Sequence, residues 1–71
     1  MNTSNIGEYA KTQREKLGIT IVDMVKTSSK TLKQYKAFEA DAIDDEDFKI
    51  YMMHEYQRKG VKFYEKYWNN M

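Results

Sequence analysis

No proline occurs anywhere in the 71 residues, and glycine occurs only three times. A chain with so few breakers can run as helix almost throughout, so its elements must be bounded by side-chain caps and by those glycines. Ile6, Tyr9, Ala10 and Leu17 keep helical spacing, which predicts a first helix from Asn5 to Leu17 that Gly18 stops as the residue after the cap. Arg14 and Lys16 stand near its end, where cations suit the helix dipole. Thr20 is placed to cap a short second helix that buries Met24 and Val25 and is interrupted by Ser28 and Ser29. Thr31 opens a third helix with Gln34 three positions on, a T-x-x-Q capping box, and Leu32, Tyr35 and Phe38 then recur every three residues. Asp44 or Asp45 caps a longer helix in which Phe48, Met52 and Tyr56 fall at i, i+4 and i+8, and Gly60 ends it. The tail VKFYEKYWNNM fits either an alternating strand or a final helical turn, and periodicity does not separate the two.

The expected fold is therefore all-α, a compact bundle of four to five short helices containing two helices joined by a turn, with a short aromatic C-terminal tail. Residues 1–71 make one domain: a two-helix unit over about 20–39, a C-terminal helix over about 45–59, and a tail over 61–71. Such a chain buries only about 60% of its unfolded surface, so it builds one modest core.

Composition removes several function classes. Cysteine is absent, which excludes disulfides, thiolate metal sites and cysteine nucleophiles, and makes a reducing cytoplasm the expected setting. Apolar runs are only two or three residues long, so neither a signal peptide nor a membrane span is expected. His54 is the only histidine and reads as a helix-surface residue. The run Asp44, Asp45, Glu46, Asp47 lacks the alternation and central glycine of a calcium loop, and helix capping accounts for it better. No phosphate loop or Ser-His-Asp arrangement can be assembled, so no enzyme activity and no cofactor is expected.

Charge is unevenly placed although the net is only +1. Lys26, Lys30, Lys33 and Lys36 form a block without acids, and Glu39, Asp41, Asp44, Asp45, Glu46 and Asp47 follow without a base. Either these are two solvated faces or a basic face suited to phosphate lies beside an acidic one that repels it.

The order IGEYAKTQREKLGIT, then Met24-Val25, Tyr35, Phe38-Glu39 and Asp41, resembles without a gap the pattern of the Cro/repressor-type helix-turn-helix family, also called the xenobiotic-response-element family. The resemblance covers most of the chain and rests on joint spacing, including Arg14 four positions before Gly18 and six before Thr20, with RKGVKF similar to the closing segment of short members. It implies that Arg14 forks onto Glu39, tying the first and third helices by a bidentate pair that lysine would replace poorly. The chain departs from the family at the turn, with Ser29 where glycine is usual and Lys30 where a small aliphatic is usual. A second alignment opens a gap and buries Leu32 instead of Tyr35. The ungapped one is preferred because it also accounts for Arg14, Phe38 and Glu39.

On that alignment Ile21 and Val22 stand where DNA-gripping members present polar groups to phosphate, and Leu32 stands where side chains reach base edges. Lys33, Gln34 and Lys36 could still contact DNA. Either Ile21 and Leu32 fold inward as core, or they centre an apolar patch rimmed by lysines, the layout of a protein-binding surface. Ten aromatic residues exceed what so small a core easily encloses, which makes Tyr64, Tyr67 and Trp68 candidate interface anchors.

Two functions are expected from these readings. In one, the protein is a Cro-like operator-binding regulator, dimeric, with Lys30, Lys33, Gln34 and Lys36 at the groove. In the other, the same face, with Ile21, Val22 and Leu32 at its centre, binds the DNA-binding domain of a repressor. That second arrangement resembles small phage switch proteins such as the modulator-of-repression antirepressors. Near-zero net charge, the acidic loop and the apolar reading face favour it.

Overall fold

Side chains close most of the helix starts in the computed structural model, which describes residues 5–69. Five helices follow one another: α1 (Ile6–Lys16), α2 (Ile21–Lys26), α3 (Leu32–Glu39), α4 (Glu46–Arg58) and α5 (Glu65–Asn69). Thr20 accepts the Asp23 N–H while the Asp23 carboxylate accepts the Thr20 N–H, so α2 begins with a complete capping box. Thr31 and Gln34 do the same for α3, and Asp45, rather than Asp44, caps α4 by accepting from Phe48. Each cap satisfies amides that the first helical turn leaves without a partner.

Helix α1 is capped from a distance. Asn5 makes no side-chain cap; the Asp41 carboxylate accepts from the Gly7 N–H at 2.7 Å and from the Glu8 N–H at 3.2 Å. Position 7 has to be glycine, because a Cβ there would lie 1.9 Å from the Phe38 carbonyl oxygen. Asp41 itself sits at φ 57, in the left-handed region that few non-glycine residues adopt.

That conformation belongs to a helix stop used three times. At the end of α1 the Ile19 and Gly18 amides return to the Arg14 and Glu15 carbonyls, and at the end of α4 the Val61 and Gly60 amides return to Tyr56 and Gln57. The Ala42 and Asp41 amides return in the same way to Ala37 and Phe38 at the end of α3. All three are Schellman motifs, two with glycine and one with aspartate in the left-handed position.

The core is built from Ile6, Ala10, Met24, Tyr35, Phe38, Met52, Met53, Tyr56, Val61 and Tyr67. Methionine and aromatic rings fill the space that few aliphatic residues are available to fill. Phe38 and Tyr35 pack on the Tyr56 ring with centroids 5.3 and 6.0 Å away. The Tyr35 side chain is buried, whereas that of Leu32 is 37% exposed. The result measures 30 × 22 × 17 Å, with a radius of gyration of 11.0 Å, close to the ~11 Å of a compact chain this size.

Two expectations need correction, and one open alternative is resolved. Leu17 was placed on the apolar stripe of α1, but it is the C-cap residue, where the chain turns away, and it is 50% exposed. Of the two forms open to the tail it takes the helical one, α5, after an irregular stretch at 61–64. It also folds back so that the aromatics are largely enclosed: Tyr67 is only 6% exposed and joins the core, while Trp68 is half-buried between His54 and Phe63. Of the three proposed aromatic anchors, Tyr64 alone is exposed. Positions 70 and 71 of the tail lie outside the described residues.

Candidate interaction face

Arg14 fixes the arrangement of α1, α2 and α3. Its Nε donates to Glu39 Oε2 at 2.8 Å and its Nη2 to Glu39 Oε1 at 3.1 Å, the forked geometry, while Nη1 donates to the Ile19 carbonyl at 2.6 Å. Both residues are buried. The Tyr56 hydroxyl donates to Glu39 Oε2, so one carboxylate accepts from α1 and from α4. The spacing of Tyr56 marks it as an apolar position of α4, and nothing in that spacing marks the hydroxyl. The Glu39 carboxylate holds the Arg14 guanidinium above its ordinary pKa, and burial, with Glu39 adjacent, pushes that of the Tyr56 hydroxyl up. A buried carboxylate with three donors around it is satisfied, and Arg14 has little capacity left for an outside ligand.

Outward from this junction, α3 buries Tyr35, Phe38 and Glu39 and turns Leu32, Lys33 and Lys36 to solvent. Leu32 and Lys36 are one turn apart, so they share a side of the helix. Lys36 then lines a depression of about 380 Å³ with Ile21 from α2 and Lys11 from α1, floored by the Arg14–Glu39 pair. Val22 follows Ile21 and is 51% exposed; Leu32 is 37% exposed. Ile21 is only half-exposed and packs on the core, so it belongs partly to each of the two roles weighed for it.

Two of the expected contact residues are otherwise engaged. Gln34 spends its side-chain oxygen on the Thr31 N–H at 2.9 Å, with the Thr31 hydroxyl 3.4 Å away. A glutamine reading adenine needs that oxygen as an acceptor and its amide as a donor together. Lys30 leaves the face altogether: its ammonium lies 4.8 Å from the Tyr51 ring centre and 5.2 Å from that of Phe48, both on α4. In the turn before α3 the Ser28 hydroxyl oxygen accepts the Lys30 N–H at 3.0 Å. Lys11 takes the vacated basic role. Its place three residues before Arg14 puts it on the same side of α1, a signal the sequence carried.

What remains exposed on α2 and α3 is Val22, Leu32, Lys33 and Lys36, with Ile21 partly buried and Lys11 and Lys36 lining the same depression. These side chains can bury area and attract acid, and the Gln34 oxygen that would accept from a base is engaged in the cap. Among the described residues no helix is long and apolar enough to cross a membrane. No protein-family model, curated protein or solved structure matches the chain.

Proposed function

We propose that the protein is a small helix-turn-helix switch protein, of phage type and acting in the host cytoplasm, that antagonises a repressor by binding the repressor's DNA-binding domain. One observation carries this reading. Val22 and Leu32 are exposed, Lys33 and Lys36 are exposed on the same helix as Leu32, and Gln34, the residue best suited to read a base, is committed to capping α3. Exposed apolar side chains beside lysines suit a protein surface with acidic groups around an apolar centre. Burial of one such side chain contributes roughly 1.5 to 3 kcal/mol, so each of the two is a candidate anchor.

A second reading keeps the protein as a Cro-like operator binder and draws on Lys11 and Lys36, which line one depression, and on the exposed Lys33 of α3. Three phosphate contacts give weak, strongly salt-dependent binding that carries little sequence information.

Titration of the protein with a co-encoded repressor's DNA-binding domain and, separately, with duplex DNA at several salt concentrations tells the two apart. Leu32→Asp is expected to weaken repressor binding at least tenfold without moving the thermal midpoint, since the side chain is exposed. Tight operator binding with a steep salt slope, and no repressor binding, would establish the Cro-like reading instead.

A further inference from the structure

A second groove lies on the opposite side of α1. Tyr9, Lys16 and Leu17 form one wall and Lys62, Phe63 and Tyr64 the other, enclosing about 480 Å³. Tyr9, Gln13, Lys16 and Leu17 recur at i, i+4, i+7 and i+8 along α1. At 3.6 residues per turn, Lys11 and Arg14 of the first face lie roughly 150° away round the helix. Among the described residues the exposed large apolar side chains divide between the two sides of the molecule. Val22 and Leu32 lie on α2 and α3, and Leu17 and Tyr64, 60% exposed, belong to the groove.

The groove is held open by its own contacts. The Tyr9 hydroxyl donates to the Lys62 carbonyl at 2.6 Å, which fixes the tail segment against α1. The Tyr9 ring packs 5.7 Å from both Phe63 and Tyr64 and 5.1 Å from Tyr67. A site built in advance loses less entropy on binding than one that must be ordered.

We propose that this groove is a second protein-binding site, which takes an acidic peptide segment carrying a leucine or aromatic anchor. Charge decides the occupant. Lys16 and Lys62 line the groove and no carboxylate does, while Lys66 stands 5.7 Å over the Tyr64 ring. A second copy of the chain would meet itself across a two-fold axis, setting these lysines against their own equivalents. Single-stranded nucleic acid needs several free ring faces in succession, but of the groove's rings only Tyr64 is exposed, Tyr9 and Phe63 being partly buried. An acidic segment satisfies the lysines, and its anchor covers Leu17 and Tyr64. The site does not rest on the function proposed above, and its position allows both faces to be occupied together.

The test is selection of a random twelve-residue peptide display library on the full chain, with counter-selection on Leu17→Glu. Enriched peptides are expected to be rich in Asp and Glu around at least one Leu, Phe or Trp. As synthetic peptides they should lose at least tenfold in affinity to Leu17→Glu and to the double variant Lys16→Glu, Lys62→Glu. Binding should be unchanged in Leu32→Asp, which disables only the first face. Circular dichroism checks that each variant is folded, and the lysine variant leaves the apolar wall intact should Leu17→Glu fail to fold. The proposal is overturned if no binder is sensitive to the groove variants, or if the selected peptides are neutral or basic. It is overturned equally if a twelve-residue oligothymidine binds the groove in place of peptide, or if sedimentation shows a dimer that Leu17→Glu dissociates.

Discussion

The junction of α1, α3 and α4 and the docked C-terminal tail are both held by contacts far apart in sequence, yet by different chemistry. At the junction Arg14, Glu39 and Tyr56 meet through directional hydrogen bonds around one carboxylate. In the tail Tyr9, Phe63, Tyr67 and Trp68 meet mainly ring against ring, with the Tyr9 hydroxyl as the polar tie. Directional contacts fix one arrangement of helices and fail as a unit when a partner is lost. Ring contacts are more tolerant and can let go locally. The first region sets the fold, and the second closes it.

The largest effect is expected from Glu39→Ala. It leaves a buried guanidinium without its counter-charge and a buried hydroxyl without its acceptor, and should cost about 3 to 5 kcal/mol in urea unfolding. A double-mutant cycle with Arg14→Ala should show strong coupling, because the second substitution removes a charge already stranded by the first. Tyr56→Phe is milder and has a pH signature. Folding raises the proton affinity of this hydroxyl, so the stability it contributes is complete below about pH 10 and is lost as pH rises beyond it. The phenylalanine variant should flatten that alkaline decline. An unchanged decline would mean that other tyrosines govern it, Tyr9 and Tyr35 also being raised by burial.

Tyr67→Ala probes the other side of the comparison. Removal of a buried aromatic ring costs about 3 kcal/mol at the lower end of the usual range, but here the loss is limited by the free energy of undocking the tail. Hydrogen exchange should show protection falling across 61–69 while α1 to α4 keep theirs. Loss of protection everywhere would show that the tail and the junction unfold as one unit, and the distinction between the two regions would fail.

The same difference decides what could be read from sequence. Thr20, Thr31 and Asp45 act on amides three residues away, and Gly18 and Gly60 act on the helix that precedes them, so these were legible as local signals, with the cap of α4 left between Asp44 and Asp45. Arg14 and Glu39 were placed by the family resemblance, and the structure joins them. Tyr56 escaped because its spacing announced only a buried ring. Tyr67 was misplaced because an aromatic-rich tail with no period carries no sign of which ring faces inward. Val22 and Leu32 are exposed, as the surface reading of them requires, whereas Lys30 was assigned by register although its ammonium lies over rings of α4. Gln34 was given two roles, cap and base contact, that compete for one side-chain oxygen. The T-x-x-Q pattern already favoured the first.

The smallest effect expected comes from Asp41, where both kinds of contact are combined in one residue. Its backbone ends α3 in a left-handed conformation, and its carboxylate caps α1 across more than thirty residues. The conformation is unfavourable for aspartate, and only the cap offsets it. Asp41→Ala keeps the strain and loses the cap, and should cost about 2 kcal/mol. Asp41→Gly loses the cap but relieves the strain, so it should cost less than the alanine variant although it removes more of the side chain. Asp41→Asn, which tolerates the conformation and keeps one carbonyl oxygen for the Gly7 amide, should be the mildest of the three. Thermal unfolding of the set checks the order. If glycine proves as costly as alanine, the backbone conformation contributes nothing and the cap alone accounts for the aspartate. If all three match the parent, α1 does not depend on a cap from the α3–α4 loop, and the Arg14–Glu39 junction alone holds it in place.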